Sequence, residues 1–401
     1  MSYNTSRIHI AGSDWFSKIK AFAYRPRRAK TEKQQRKKIM EQKKVNGVVV
    51  GYGGMGGWHT RYLKDSDRVN LCGIYDIKPE RRAAAEEAGI YAYPSWEAVL
   101  SDEKVDFVTL AVPNELHKPL AIEALRRGKN VISEKPVTLD CKELDEICAV
   151  ADETGKLFTA HQNRRWDCDY LMTREAYRSG KLGRVTSVES RYQGSRGIPG
   201  DWRGKKEHGG GMIYDWGVHL IDQMLGIIDD KKIERVYCRC DHITNDEVDD
   251  GFKLDLYFEG GLLGHIEVGT TNFISLPRFY ITGVNGTGVV NDWRDECRVV
   301  LCKTWEDKDV APVVTSAGFT KTMAPRDEKT TEEYIIPRPA SDVHEFYRNY
   351  ADAILANDPS MLLVTHAQLK RSMKLMLAAF ESDALGAPVK IEDEAIARPI
   401  R

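Results

Sequence analysis

At 401 residues, with 42% hydrophobic and 30% charged positions, the chain has room for two domains with a substantial core and the composition of a folded globular protein. No apolar run approaches the roughly 20 residues that a bilayer-spanning helix needs, so the composition excludes a membrane protein. The net charge of -1 conceals an asymmetry: residues 1–44 hold 13 Lys or Arg against 3 Asp or Glu, the remainder 46 against 57, or about +10 and -11.

That basic arm, residues 1–44, comes first. "TEKQQRKKIMEQKK" reads as a helix with Thr31 and Gln34 placed as a capping box, and "DWFSKIKAFAY" offers aromatic anchors. We expect the arm to clasp the acidic body of a neighbouring subunit or to be loosely ordered, not to bind nucleic acid, although a basic segment is compatible with each. No signal-type apolar stretch stands near the start, and the eight cysteines form no Cys-x-x-Cys pair. A cytoplasmic protein with reduced thiols is therefore expected, without a zinc framework or disulfide scaffold.

Residues 45–165 read as a dinucleotide-binding domain. In "VVVGYGGMGGWHT" a short apolar strand runs into Gly51, Gly53 and Gly56, with Gly54 and Met55 inside the turn, and a helix follows. Glycines let the backbone approach a pyrophosphate, and the free N–H groups of the helix start hold its charge. The next apolar run, "VNLCGIYD", ends in Asp76, 25 residues after Gly51, where a carboxylate takes both hydroxyls of an adenosine ribose. That favours NAD, while Lys78, Arg81 and Arg82 in "DIKPERR" leave NADP open. Further strands are predicted at 105–112, 129–133 and 156–161, alternating with helices, which implies a doubly wound parallel sheet. The loops carrying Pro113, Asn114 and His117, and then Glu134, Lys135 and Pro136, should face the same crevice as the glycine turn.

Residues 166–340 change character. After a helical stretch near 167–180, alternating segments such as "RVTSVESRY", "FKLDLYF", "LLGHIEV" and "FYITGV" predict a mainly antiparallel sheet, with a hairpin turn at Glu259-Gly260-Gly261. Residues 341–401 hold two closing helices and a tail. Within the second domain, "GGGMIYDWGVHLIDQMLG" (209–226) predicts a helix with Asp215, His219 and Asp222 at i, i+4 and i+7, sharing one face. Either a structural network or a polar stripe toward a cleft explains that pattern, and we expect the cleft. Lys135, near the nicotinamide end, is suited to polarise a substrate oxygen, and His219 to take an alcohol proton as hydride leaves the same carbon. The histidines at 59, 161, 208, 242 and 265 form no metal-ligand pattern, and this chemistry requires no metal.

Taken together, "GYGGMGGWH", "VPNELH", "SEKP", "QNRRWD", "DWRG" and "GGGMIYDWGVHLID" make the chain resemble the glucose-fructose oxidoreductase, inositol dehydrogenase and rhizopine catabolism (Gfo/Idh/MocA) family, from about residue 45 to 390. The resemblance implies a Rossmann domain followed by an α+β domain with a large open sheet, often used to form a homo-oligomer. It implies a nicotinamide cofactor and a sugar, glycoside or cyclitol substrate. Lys135, Asp215 and His219 match the family's catalytic trio, with His219 the proton acceptor. Glu134 and Asn114 would lie near the nicotinamide ribose, with His117 supporting their loop. Arg164, Arg165 and Trp166 match the passage into the second domain, where Arg164 or Arg165 either meets substrate or forms a structural ion pair. Trp202 and Arg203 would line the substrate pocket.

The expected reaction is oxidation of one secondary hydroxyl. Two variants stay open: an inositol dehydrogenase that releases NADH, and C3 oxidation of a glycoside with tightly held NAD. A non-catalytic NAD-sensing regulator is the rival from another class, and it has no need to keep Lys135, Asp215 and His219 together.

Overall fold

Short, mainly apolar runs build the first sheet, with Asn46, Asn70 and Asn130 at or near the strand starts, because the middle of the sheet is covered on both faces. In the computed structural model, which describes residues 43–306 and 310–396, β1 (Val45–Val50), β2 (Val69–Tyr75), β3 (Phe107–Leu110), β4 (Asn130–Ser133) and β5 (Phe158–Ala160) pair in parallel in the order β2-β1-β3-β4-β5. Val48, Val49, Val108, Leu110, Val131 and Ile132 are fully buried in it. The expected arm helix, with Thr31 and Gln34, lies outside the described residues.

The intervening helices are α1 (Gly54–Lys64), α2 (Pro79–Glu87), α3 (Trp96–Ser101), α4 (Asn114–Arg126) and α5 (Cys141–Thr154). Local chemistry marks their ends. Asp140 caps α5 by accepting from the Glu143 amide, and Gly155 closes it at φ 64°. The chain leaves β1 for one neighbour and returns to β3 on its other side, and at such a reversal a crevice opens beyond the strands' carboxyl ends.

After α6 (Cys168–Arg178) the alternating pattern becomes a nine-stranded sheet. Its strands are β6 (Val185–Gln193), β7 (Ile233–Asp241), β8 (Gly251–Phe258), β9 (Leu262–Gly269), β10 (Phe279–Gly283), β11 (Gly286–Val290), β12 (Cys297–Cys302), β15 (Thr331–Ile336) and β16 (Val389–Lys390). The order is β15-β12-β11-β10-β6-β9-β8-β7-β16, antiparallel throughout except for the parallel β6–β9 pair. A small separate hairpin is made by β13 (Val313–Thr315) and β14 (Gly318–Thr320). Strand β9 alternates between buried and half-buried positions, the signature of a sheet with only one face in the core. Glu259–Gly261 forms the turn between β8 and β9, as its glycines predict.

On the covered face lies α7 (Val218–Ile227), preceded by one π-helical turn, Ile213–Gly217. The two closing helices part company. α8 (His344–Ala356) returns to β1 and β2, whereas α9 (His366–Leu385), started by a Thr365–Gln368 capping box, packs on α5, α7 and β7. Among the described residues, no helix is long and apolar enough to cross a membrane.

Candidate active site

The glycine turn is shaped by contacts that only glycine permits. Gly51 holds φ at 90° with the Ala111 carbonyl 2.3 Å from where a Cβ would stand, and a Cβ on Gly56 would lie 1.8 Å from the Gly51 carbonyl oxygen. Gly53 and Gly54, by contrast, have open space at that point. The start of α1 has no capping side chain and no acidic residue in its first turn, so its amides face that space unanswered. Beside it, Asp76 accepts from the backbone amides of Tyr52 (2.7 Å) and Lys78 (2.8 Å), which fixes its carboxylate at the end of β2. Arg82 donates to the carbonyls of Asp76 and Ile77.

A cleft of about 620 Å³ extends from this turn. Gly54, Met55, Pro113, Asn114, His117, Glu134 and Lys135 line it from the parallel-sheet side, and Asp201, Trp202, Arg203 and His208 from the loop before the π-turn. Asn114 pins the two sides together by donating to the His208 carbonyl at 2.9 Å. His117 is buried, with its ring nitrogens against the carbonyls of Val112, Pro136 and Val137, so it braces the loops after β3 and β4. These residues fit a dinucleotide: an open glycine cradle, a helix start for the pyrophosphate, and an oriented carboxylate for the ribose.

At the far end Lys135 reaches across to the π-turn. Its Nζ donates to both the carbonyl and Oδ1 of Asp215, each at 2.9 Å, while Arg203 Nε donates to Asp215 Oδ2 at 2.8 Å. The two cations hold the Asp215 carboxyl below its usual range despite its burial. One turn on, His219 is 5% exposed, and its Nδ1 lies 3.2 Å from Gln162 Oε1. Burial, reinforced by the positive charges of Lys135 and Arg164, lowers the His219 pKa well below that of a free histidine, so the ring is neutral near pH 7. Arg164 lies over the Trp216 ring at 4.7 Å, and that ring is 6.0 Å from the ring of His219.

Two expectations need correction. Asp222 does not turn toward Lys135 as Asp215 does: its oxygens accept from Arg165 Nε and Nη2, both at 2.7 Å, in a buried pair. The π-turn explains part of the difference, since its wider spacing breaks the simple i, i+4, i+7 face. Arg165 also donates to Gln368 Oε1, and with Trp166 it lines a separate cavity of about 410 Å³ instead of the cofactor cleft. Of its two readings, the structural ion pair is the one the geometry carries.

A second group went unrecognised. Glu134 Oε1 accepts from His59 Nε2 at 2.7 Å and from His161 Nδ1 at 3.0 Å, and the Tyr347 hydroxyl lies 2.7 Å from His59 Nδ1. His59 and His161, which looked scattered, thus converge from α1 and from the end of β5. A signal existed: Gly56, His59, Thr60 and Leu63 recur at helical spacing and are the buried face of α1. The three side chains are near enough for a metal cluster. Both contacts run to one oxygen at hydrogen-bond length, however, whereas ligands about 2.0–2.1 Å from one zinc ion stand roughly 3.3 Å apart. A hydrogen-bonded network is the better account.

A family model described as an oxidoreductase family with an NAD-binding Rossmann fold matches residues 45–162, and one described as the GFO/IDH/MocA C-terminal domain matches residues 170–289. An uncharacterized oxidoreductase of Schizosaccharomyces pombe is 34% identical over 158 residues, which cover 37% of this chain and only 43% of that protein. The scyllo-inositol 2-dehydrogenase (NADP(+)) of Bacillus subtilis is 27% identical over 350 residues, 86% of this chain and 95% of its own length. Among solved structures, an NAD-binding protein from Listeria innocua is 43% identical and superposes with a TM-score of 0.82, covering 87% of this chain and 100% of that one.

Proposed function

The chain belongs to the GFO/IDH/MocA oxidoreductase family, and from that premise we propose that it oxidises one secondary hydroxyl of a sugar, glycoside or cyclitol with NAD. The reading rests above all on one observation: a buried, neutral His219 beside Lys135, which Asp215 ties to the end of the cofactor cleft. When bound, the cofactor supplies the hydride acceptor. His219 directs Nδ1–H to Gln162, which leaves Nε2 with the lone pair that takes the hydroxyl proton. Lys135 stabilises the negative charge that develops on the substrate oxygen, and Asp215 positions Lys135 and Arg203 together. Trp202 and Arg203 line the cleft, and Arg164, whose positive charge acts on His219, would meet substrate hydroxyls.

NAD is favoured over NADP because the Asp76 carboxylate repels a 2'-phosphate, and Arg82 is already engaged by backbone carbonyls. The Bacillus relative bears the name of an NADP-linked inositol dehydrogenase, which supports including cyclitols and makes the cofactor the first thing to measure. The half-open sheet, where Tyr280 and Ile335 are exposed, supports a homo-oligomer as part of the same reading.

The test is the absorbance and mass spectrum of any nucleotide released from denatured protein, then titration of intact protein with sugars, glycosides and inositols. Stoichiometric NAD that becomes reduced in place supports a hydride-recycling sugar or glycoside oxidase. An empty protein that reduces added NAD over many turnovers supports a dehydrogenase that releases NADH. No reduction with any polyol, despite bound cofactor, counts against oxidation altogether.

A further inference from the structure

Among the described residues, Glu134 is a buried carboxylate to which no lysine or arginine side chain is bonded. Its partners among the described residues are His59 Nε2, His161 Nδ1 and, at 3.1 Å to Oε2, the Lys135 backbone amide. Proton counting defines the network. Both imidazoles donate to the carboxylate, so each neutral ring keeps a lone pair on its other nitrogen. Tyr347 has one hydroxyl proton, and its oxygen stands 2.7 Å from His59 Nδ1 but 3.5 Å from His161 Nε2, so the proton goes to His59. Every short contact is then satisfied with both histidines neutral. The rings of His59 and His161 lie 4.4 Å apart, which disfavours charging both. The group as a whole carries one negative charge.

The nearby charges do not cancel it. Lys135 and Arg203 are committed to Asp215, Arg203 also pairs with Asp201, and Arg164 pairs with Asp167, so those cations have carboxylates of their own. Glu134 and Lys135 both line the cofactor cleft at the end where Lys135 meets Asp215. A nicotinamide there is positively charged before it takes up hydride and neutral afterwards, while the charge on Glu134 stays the same.

We propose that Glu134 sets the preference of this site for oxidised over reduced cofactor: its carboxylate attracts the positive nicotinamide and has no equivalent hold on the neutral one. The His59–His161–Tyr347 shell keeps that carboxylate ionised and in place. The inference rests on the cofactor reading above and adds a direction to it, because a site that holds NAD⁺ more firmly than NADH resists staying reduced. Glu134 is thereby a positioning and electrostatic residue for the cofactor, distinct from the proton-transfer role of His219.

Dissociation constants for NAD⁺ and for NADH, measured calorimetrically at one pH without substrate, test it. In Glu134→Gln, NAD⁺ binding should weaken about tenfold more than NADH binding. Tyr347→Phe removes the outer hydrogen bond but keeps the carboxylate, so it should leave the ratio of the two constants within about twofold while lowering thermal stability. Glu134→Asp, which shortens the side chain but keeps its charge, should hold the ratio within about twofold of wild type. If Glu134→Gln does not fold, the wild-type constants decide, since NAD⁺ must bind more tightly than NADH. Equal losses for both nucleotides in Glu134→Gln, or wild-type protein that binds NADH at least as tightly as NAD⁺, overturn the inference while leaving the cofactor reading intact. Wild-type protein that binds neither nucleotide overturns both.

Discussion

His219 and Asp76 show how far a single residue can be argued. In the proposed reaction His219 serves as a base because burial and two cations keep it unprotonated, not because of its residue type alone. Replacement by alanine should lower turnover by ~100-fold or more while cofactor binding stays near wild type, and an unchanged rate removes His219 from the proton transfer. Because its pKa lies below that of free histidine, the acid limb of kcat/KM for alcohol oxidation should fall at a pH under about 6.5. A limb at or above that value contradicts the assignment. Asp76→Ala should weaken NAD more than NADP, as read from the two dissociation constants. Lys135 and Asp215 were legible in the sequence because their motifs sit at a strand end and behind a glycine run. The roles of Gln162, His161 and Tyr347 were not, since each reaches the site from an element far away in the chain.

At the scale of the element, the informative case is 209–226. Alternation of Asp and His at helical spacing predicts one polar stripe, yet the segment divides it between two tasks. The π-turn presents Asp215 to Lys135, and the regular helix after it sends Asp222 to Arg165. Side-chain exposure at that second pair is 8% for Arg165 and 3% for Asp222, so losing one partner leaves a buried charge. Asp222→Ala should therefore cost roughly 3–5 kcal/mol in urea unfolding. A loss under about 1 kcal/mol would place the pair with weak surface bridges. The glycine turn of α1 was read correctly for a simpler reason: its requirements are steric and local.

Across the whole molecule, several buried histidines act together. Burial lowers the pKa of His117, His161 and His219 in the folded protein, so as pH falls the unfolded chain takes up those protons first. Their neutral burial costs nothing above the unfolded value of about 6.5, and stability is lost progressively as pH drops below it. Glu134, whose histidine partners hold its pKa well below the usual carboxylate range, adds a loss of the same sign in more acid solution. Melting temperature should thus decline from about pH 7 to pH 5, and a flat profile over that interval contradicts the neutral assignment.

The sequence by itself determined the two sheet types and the glycine turn that opens α1, and it singled out Asp76, Lys135, Asp215 and His219 as candidates. Periodicity, turn sterics and short motifs are properties of contiguous residues, and they survive translation into structure. Tertiary structure alone decided that Asp222 and Arg165 serve stability, that α8 returns to β1 and β2 while α9 packs on α7, and that two histidines converge on Glu134. Those outcomes depend on pairings between residues as much as 288 positions apart, as in the contact of His59 with Tyr347, and no local pattern records which distant side chain fills a given space.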